Sequence, residues 1–439
     1  MRDALIDLGE VPADGPEEPS LPTAPVPYRW ILGLLAVILL AVLGGAGPPP
    51  PPPPAPVVLP LALGESVHVV GDRLYVIGLS DPFGTVARTH TIRSYDLPGM
   101  NLLGTYTVPV TGDIFTVNDG GDGTLVVSYN DYEFGTPGTV AVRAGGGQPV
   151  WKRAVTVYGR SPDGGLLLAS EEPEVRTEES RSVWHALDPR TGAVRWSVEQ
   201  PENGQLAVES GYFWEGYPQF LYTLHGDGRL EARDGLTGAI TATGRHRQPV
   251  GPGTSFQVAA GLLLIGRDTG EIVAYDERTL TERWRRDDPV LPEEGYQLDC
   301  GPVICAVAMQ DGLVGIDPAT GREIWRADPY DTSEVIGDRV LVSHSQEAEP
   351  VLDVLDPGTG RIVARIGAWV SGGPGPAPGT AYVHRIRRSD GSVRYGVLDL
   401  GTGRVRVTGA ADRIAGDCQF GKGVLLCRRL DSSLAVWRL

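Results

Sequence analysis

The residues whose chemistry is most tightly constrained by spacing are four cysteines, which occur as Asp299-Cys300-Gly-Pro-Val-Ile-Cys305 and Asp417-Cys418-Gln-Phe-Gly-Lys-Gly-Val-Leu-Leu-Cys427. Two such pairs can close two local disulfides or stay as buried thiols, and an even count in an oxidising compartment favours the bridges. Zinc would need ligands at short spacing from a Cys pair, whereas His68, His90, His185, His225, His246, His344 and His384 are scattered. Asn118-Asp-Gly-Gly-Asp-Gly123 has the oxygen-rich look of a calcium loop, but Tyr129 stands where that loop ends in Glu, so the run reads as a hairpin turn. Gly145-Gly-Gly147 lacks the Lys-Ser/Thr of a phosphate-binding loop. No Ser, His and carboxylate stand at a spacing that argues for nucleophilic catalysis. On these grounds no catalytic, metal-ligating or cofactor-binding residue is assigned.

The elements that position these residues are repeats of Asp-x-x-Thr-Gly-x-x-x-Trp. Asp188…Thr191-Gly192…Trp196 and Asp317…Thr320-Gly321…Trp325 match fully, and Asp276…Thr279-Leu280…Trp284 loses only the glycine. Turns at Asp234, Asp356 and Asp399 keep Thr-Gly but put Ala242, Ala364 and Val407 at the Trp position. Tyr95-Asp96-Leu-Pro-Gly99 and Val142-Arg-Ala-Gly-Gly-Gly-Gln-Pro-Val-Trp151 are degenerate copies, and a last copy stops at Leu434-Ala-Val-Trp437. Alternating apolar runs such as Ile272-Val-Ala-Tyr275 predict a strand before each turn. Asp then caps the turn backbone and Gly takes its left-handed position. Each cycle holds four short strands, and from Asp188 to Asp399 the anchors lie 46, 42, 41, 39 and 43 residues apart. That spacing predicts an all-β chain, a β-propeller of four-stranded blades. Nine cycles are visible; eight blades are expected, within a range of seven to nine, on the reading that the weakest cycles are loop embellishments. The C-terminal cycle ends after its third strand, so a strand near Pro56–Leu63 should complete that blade and close the ring.

In this scheme both cysteine pairs span the turn between first and second strands of a blade. Loops between second and third strands share a face with the blade-to-blade connections, opposite the Thr-Gly turns. Long insertions concentrate on that first face: Ser80–His90, Tyr129–Thr139, the acidic Ser170–Ser182, Gln346–Pro350 and the connection Ser371–Thr380. Tyr212-Phe-Trp214 and Tyr217 form an aromatic cluster on the other face.

The chain has 439 residues, with 59 Gly and 37 Pro, which suits many turns and excludes a long helical bundle. Its net charge of −17 excludes a nucleic-acid binder. Residues 1–28 carry six acids among six prolines and predict a disordered cytoplasmic tail. From Trp30 to Gly47 no residue is charged, and eighteen residues of helix span about 27 Å, so 29–47 reads as one transmembrane helix. A cleaved signal peptide competes with this reading, and the long acidic segment ahead of the helix argues against it. Arg29 on the N-terminal side, with no charge again until Glu65, places the C-terminal bulk outside the cytoplasm. Seven prolines from Pro48 to Pro54 make 48–60 a stiff stalk, and 61–439 the propeller.

The spaced turn and Trp at Asp188, Asp276 and Asp317 resemble the PQQ-like β-propeller repeat family, the quinoprotein-dehydrogenase-like superfold, over roughly residues 61–439. The resemblance implies either redox enzymes carrying pyrroloquinoline quinone and Ca²⁺ or cofactor-free scaffolds of the cell envelope. The enzyme branch commonly has adjacent cysteines against the quinone, which are absent here, and no catalytic Asp or Ca²⁺-ligating Glu or Asn carries over by motif. The lipoprotein branch has a lipobox cysteine, whereas the first cysteine here is Cys300. The expectation is therefore a membrane-anchored extracytoplasmic propeller that binds another envelope protein and has no cofactor. A membrane-tethered quinoprotein oxidoreductase and a ligand-sensing ectodomain are the alternatives.

Overall fold

The computed structural model describes residues 34–35 and most of 55–439, leaving out 63, 80–88, 132–135, 147, 172–180, 209–216, 249, 252, 268–269, 288–294, 309–311, 328–329, 331, 345–350 and 388. Nine antiparallel four-stranded sheets follow one another along the chain. They are blade 1 (66–108), blade 2 (113–153), blade 3 (156–199), blade 4 (205–245), blade 5 (254–286), blade 6 (295–327), blade 7 (332–367), blade 8 (370–411) and blade 9 (414–438). Blade 9 takes its fourth strand from the beginning of the described body: Val57, Val58 and Leu59 pair with Val436, Ala435 and Leu434. This is the closing strand expected near Pro56–Leu63, and it lies inside the segment assigned to the stalk.

At most boundaries the first strands of neighbouring blades pack on one another, including that of blade 9 on that of blade 1, so the first strands line the axis. Nine buried apolar clusters lie one at each boundary between neighbouring blades. The cluster of Leu61, Leu74, Val76, Tyr95, Val424, Leu426, Leu434 and Val436 joins blade 9 to blade 1 and closes the ring. Second strands are covered by neighbours on both faces, which is why Thr124–Asn130 and Leu262–Arg267 are buried almost throughout. Outer strands are half exposed, as in Val194–Glu199.

The blade number is nine, not the eight expected. The degenerate cycles are full blades because a blade needs two apolar faces and four turns, and several residue types can make the turn. Blade 1 puts Met100 in the left-handed conformation (φ 63°) after Leu97-cis-Pro98, and blade 2 uses Gly145 (φ 70°). A second correction concerns Ser371–Thr380, which is not a connection: Val370–Pro374 is the first strand of blade 8, and the turn that follows leads into Thr380–Arg387.

The transmembrane helix expected over 29–47 lies outside the described residues except for Leu34 and Leu35, which are helical. Among the described residues no helix is long and apolar enough to cross a membrane. The cytoplasmic tail and the proline run to Pro54 also lie outside them.

Candidate functional site

The repeat residues do not converge on one point; each joins two blades. Asp188 Oδ1 accepts the backbone N–H of Arg190 and Thr191 at 3.0 and 3.1 Å. Asp276 Oδ1 accepts Thr279 N–H and Thr279 Oγ1–H, both at 2.9 Å, and Asp317 Oδ2 accepts Thr320 Oγ1–H at 2.6 Å. The Arg283 guanidinium 2.6 Å from Asp276, together with the Thr279 N–H, holds that carboxyl far below the usual carboxylate range. The hydroxyl of Thr320 and the N–H of Ala319 lower Asp317 in the same sense. These bonds tie the turn so that its fourth residue after Asp is left-handed: Gly192 (φ 65°), Gly238 (φ 70°) and Gly321 (φ 69°).

The tryptophan of one blade docks on the turn of the next. Trp151, Trp196, Trp284 and Trp325 donate their indole N–H to the carbonyls of Pro189, Leu236, Pro318 and Pro357 at 3.0, 3.0, 2.8 and 2.7 Å. Each ring lies flat on the turn glycine, so that a Cβ on Gly192 or Gly238 would sit 2.7 Å from Trp151 or Trp196, and on Gly321 2.5 Å from Trp284. The turn of blade 5 has Leu280 in place of the glycine. The facing residue in blade 4 is Ala242 rather than Trp, and Leu280, in the left-handed conformation, is buried in the space an indole would fill.

Cys300–Cys305 and Cys418–Cys427 are disulfides, with Cα–Cα distances of 5.8 and 4.1 Å. Each joins the first and second strands of its blade, as expected. In blade 9 the register passes from Gly416↔Arg428 to Gln419↔Leu426, and this bulge brings Cys418 opposite Cys427.

The oxygen-rich turn of blade 2 is occupied by arginines. Asp119 lies 2.8 Å from Arg73 of blade 1 and 3.8 Å from Arg160 of blade 3, and Asp122 pairs with Arg190 at 2.8 Å. Among the described residues no three of His, Cys, Asp or Glu gather where they could hold a metal ion. Tyr217 is also a packing residue: its hydroxyl donates to Gly235 O at 2.7 Å and its ring joins the cluster between blades 3 and 4. Tyr212, Phe213 and Trp214 lie outside the described residues, as do 80–88, 132–135, 172–180 and 346–350 of the expected insertions.

Two polar groupings were not legible from spacing. His185 Nδ1 lies 2.8 Å from Ser197 Oγ and its Nε2 3.2 Å from Glu171, tying the second, third and outer strands of blade 3. Glu231, 3% exposed, meets Arg229 and Arg233 at 2.6 Å. The sequence signal for the first is cross-strand register: His185 and Ser197, three residues before and nine after Asp188, are direct partners.

The described residues line two clefts between blades. One, of about 660 Å³, lies on the turn face where blades 8, 9 and 1 meet, floored by Tyr382 and Phe420, stacked at 5.1 Å, and rimmed by Lys422 and Asp72. The other, of about 670 Å³, lies on the loop-bearing face between blades 8 and 9, lined by Val370, Arg385, Ile386, Asp390, Ile414 and Leu430.

No family model matches the chain, and no curated protein does. Solved structures do match. BamB from Moraxella catarrhalis is 16% identical with a TM-score of 0.38, over 74% of this chain and 96% of that one. The computationally designed Ika8 protein is 13% identical (TM-score 0.42, 75% and 97% covered). The Cps50 (Swd1) β-propeller domain of Myceliophteria thermophila is 12% identical (TM-score 0.31, 65% and 96% covered). The fold assignment rests on the strand pairing itself: the described body of this chain is a β-propeller of nine four-stranded blades.

Proposed function

We propose that this protein is a single-pass membrane-anchored propeller whose extracytoplasmic ring binds and holds another protein of the cell envelope. The observation that carries the reading is the pair of open clefts at neighbouring blade boundaries. Their linings offer apolar area, backbone and isolated charges, the make-up of a surface that receives a polypeptide. The repeat residues are meanwhile committed to joining neighbouring blades, and each disulfide to joining two strands of one blade. The anchor is supported by the uncharged run Trp30–Gly47. Val57–Leu59 runs antiparallel to the last strand, so the chain enters the ring on the Thr-Gly-turn face.

The test uses the full chain in detergent micelles, titrated with pyrroloquinoline quinone and Ca²⁺ while thermal unfolding and dye reduction with alcohols and sugars are followed. The expected result is no saturable stabilisation and no turnover. Stabilisation that saturates together with turnover would place the protein among oxidoreductases and overturn the scaffold reading. In parallel, photo-crosslinkers at exposed positions around the loop-bearing face should yield one defined adduct in envelope preparations.

A further inference from the structure

The register of blade 3 gathers a serine, a histidine and a carboxylate on one face. Ala169, His185 and Ser197 are cross-strand partners on the second, third and outer strands, and Glu171 lies two residues beyond Ala169 on the same side. That side is turned to blade 2, since Leu167 and Ala169 join the cluster there while Trp184 and Trp196 point toward blade 4. Ser197 Oγ lies 2.8 Å from His185 Nδ1, and Glu171 Oε2 lies 3.2 Å from His185 Nε2. An ionised carboxylate only accepts, so Nε2 of the neutral ring carries the proton and Nδ1 accepts the Ser197 hydroxyl. The imidazole is held at both nitrogens and is 11% exposed, whereas Ser197 and Glu171 are open to solvent. The backbone supplies a further donor. Gln200 N–H donates to Ser182 O at 2.9 Å, so Ser182 and Gln200 are a hydrogen-bonded pair. Along the alternating ladder His185 and Ser197 are then a non-hydrogen-bonded pair, which brings their side chains close and aims Ser197 N–H off the free edge of the blade. The flanking charges on that face are engaged, Arg195 by Asp188 at 2.5 Å and Glu199 by Arg181 at 3.5 Å.

We propose that Ser197 is a nucleophile, with His185 as its general base and Glu171 as the residue that positions the ring, and that this site hydrolyses carboxylic esters of small acids. The three roles are defined by geometry and not by order along the chain. Ser197 Oγ forms a bond to the ester carbonyl carbon while its proton passes to His185 Nδ1. The imidazolium so formed is stabilised by Glu171 on Nε2–H. Ser197 N–H faces the carbonyl oxygen as negative charge develops there, the task of an oxyanion donor. The C–O bond to the leaving alcohol then breaks, and the alcohol departs with the proton from Nδ1. Water attacks the acyl-serine in the same way, giving its proton to Nδ1, and the carboxylic acid leaves as Ser197 Oγ takes that proton back. The exposure of Ser197 on an outer strand suits a small acyl group arriving from solvent. This activity stands apart from the scaffold reading, which uses other faces of the ring.

The test treats the full chain in micelles with a fluorophosphonate probe, which reacts with activated serine hydroxyls, and separately with 4-nitrophenyl acetate. Intact mass and peptide mapping should show one probe per chain, on Ser197, and the ester should be turned over repeatedly. Ser197→Ala should abolish labelling and turnover, and His185→Gln should slow both at least about a hundredfold, the usual reach of a positioned base. Glu171→Gln should lower kcat at least about tenfold with KM unchanged, as for a group that acts through the base and does not bind the ester. Ser197 and Glu171 are exposed, so these two variants should melt like the parent even where His185→Gln does not. Labelling spread over many serines, labelling at a different serine, or rates that Ser197→Ala or Glu171→Gln leave unchanged overturns the proposal. An inert Ser197 with crosslinks from the loop-bearing face intact refutes this site alone and leaves the scaffold reading standing.

Discussion

A single glycine in each repeat turn answers two demands at once, and substitution can separate them. Gly321 has φ 69° and the Trp284 ring where a Cβ would project, whereas Gly337 has φ 60° and open space around it. Gly337→Ala should therefore cost only the left-handed strain, about 1 kcal/mol, and Gly321→Ala about 2–4 kcal/mol, because the indole must also move. Urea unfolding of the two variants measures the difference, and equal losses would show that the indole contact contributes nothing. The buried histidines make a second prediction at this scale. His384 is 7% exposed, its Nδ1 has no hydrogen-bond partner among the described residues, and its ring lies 5.7 Å from Phe420. Burial pushes its pKa down to about 4. Below the unfolded value near 6.5, the unfolded chain takes up a proton that the folded protein refuses. Stability should therefore fall by on the order of 3 kcal/mol as pH drops from 6.5 to 4. The turn carboxylates carry the opposite shift, so their contribution is present above the unfolded carboxylate pKa and is lost only below about pH 4. His384→Phe should flatten the melting temperature against pH in the upper window; an unchanged slope would mean that the ring is hydrated.

At the scale of the element, the pairing between an outer strand and the next turn decides which departures from the repeat are defects. The Asp-x-x-Thr-Gly-x-x-x-Trp pattern was legible because all of it lies within nine consecutive residues. Its docking partner was not, because Trp196 meets a carbonyl forty residues ahead, in another blade. Read alone, Leu280 looks like a lost glycine and Ala242 a lost tryptophan; across the boundary they are one exchange of volume between facing positions. Ala242→Trp alone should destabilise by about 2 kcal/mol or more through overpacking, and Leu280→Gly by about 2–4 kcal/mol through the cavity it leaves. The double variant recreates the Trp-on-Gly arrangement seen at Gly192, Gly238, Gly321 and Gly360, so its loss should fall short of the sum by at least about 1 kcal/mol. Strict additivity would show that the two positions do not sense each other. The disulfides behave differently, since each closes a short loop within one blade, with sequence separations of 5 and 9. Replacing either pair with serine should cost about 2–3 kcal/mol without changing the fold. Their pairing was legible from recurrence at one repeat position. The bulge that brings Cys418 level with Cys427 left no mark in the spacing.

For the whole molecule, the fold class, the four-strand blade and the closure by an N-terminal strand were legible, and the blade number was misjudged by one. The misjudgement came from weighting cycles by their match to the turn signature, whereas the ring counts blade boundaries, each with its own apolar cluster. Blade 1, with a proline turn and Gly104 at the Trp position, supports clusters as fully buried as any other. Closure concentrates risk at one place, since blade 9 is completed by three residues that reach it from the opposite end of the ring sequence. Leu59 packs on the cluster between blades 9 and 1, whereas Val58 is 44% exposed on the same strand. Leu59→Asp would set a carboxylate against Leu434 and Val436 and free the edge of the last blade, so the full chain should lose about 2–4 kcal/mol and aggregate on heating. Val58→Asp on the solvent side should stay within about 0.5 kcal/mol of the parent. Thermal unfolding followed by light scattering separates the two. If Leu59→Asp melted like Val58→Asp, the ring would be held closed by contacts between the first strands of blades 9 and 1, and the three-residue strand would only cover an edge.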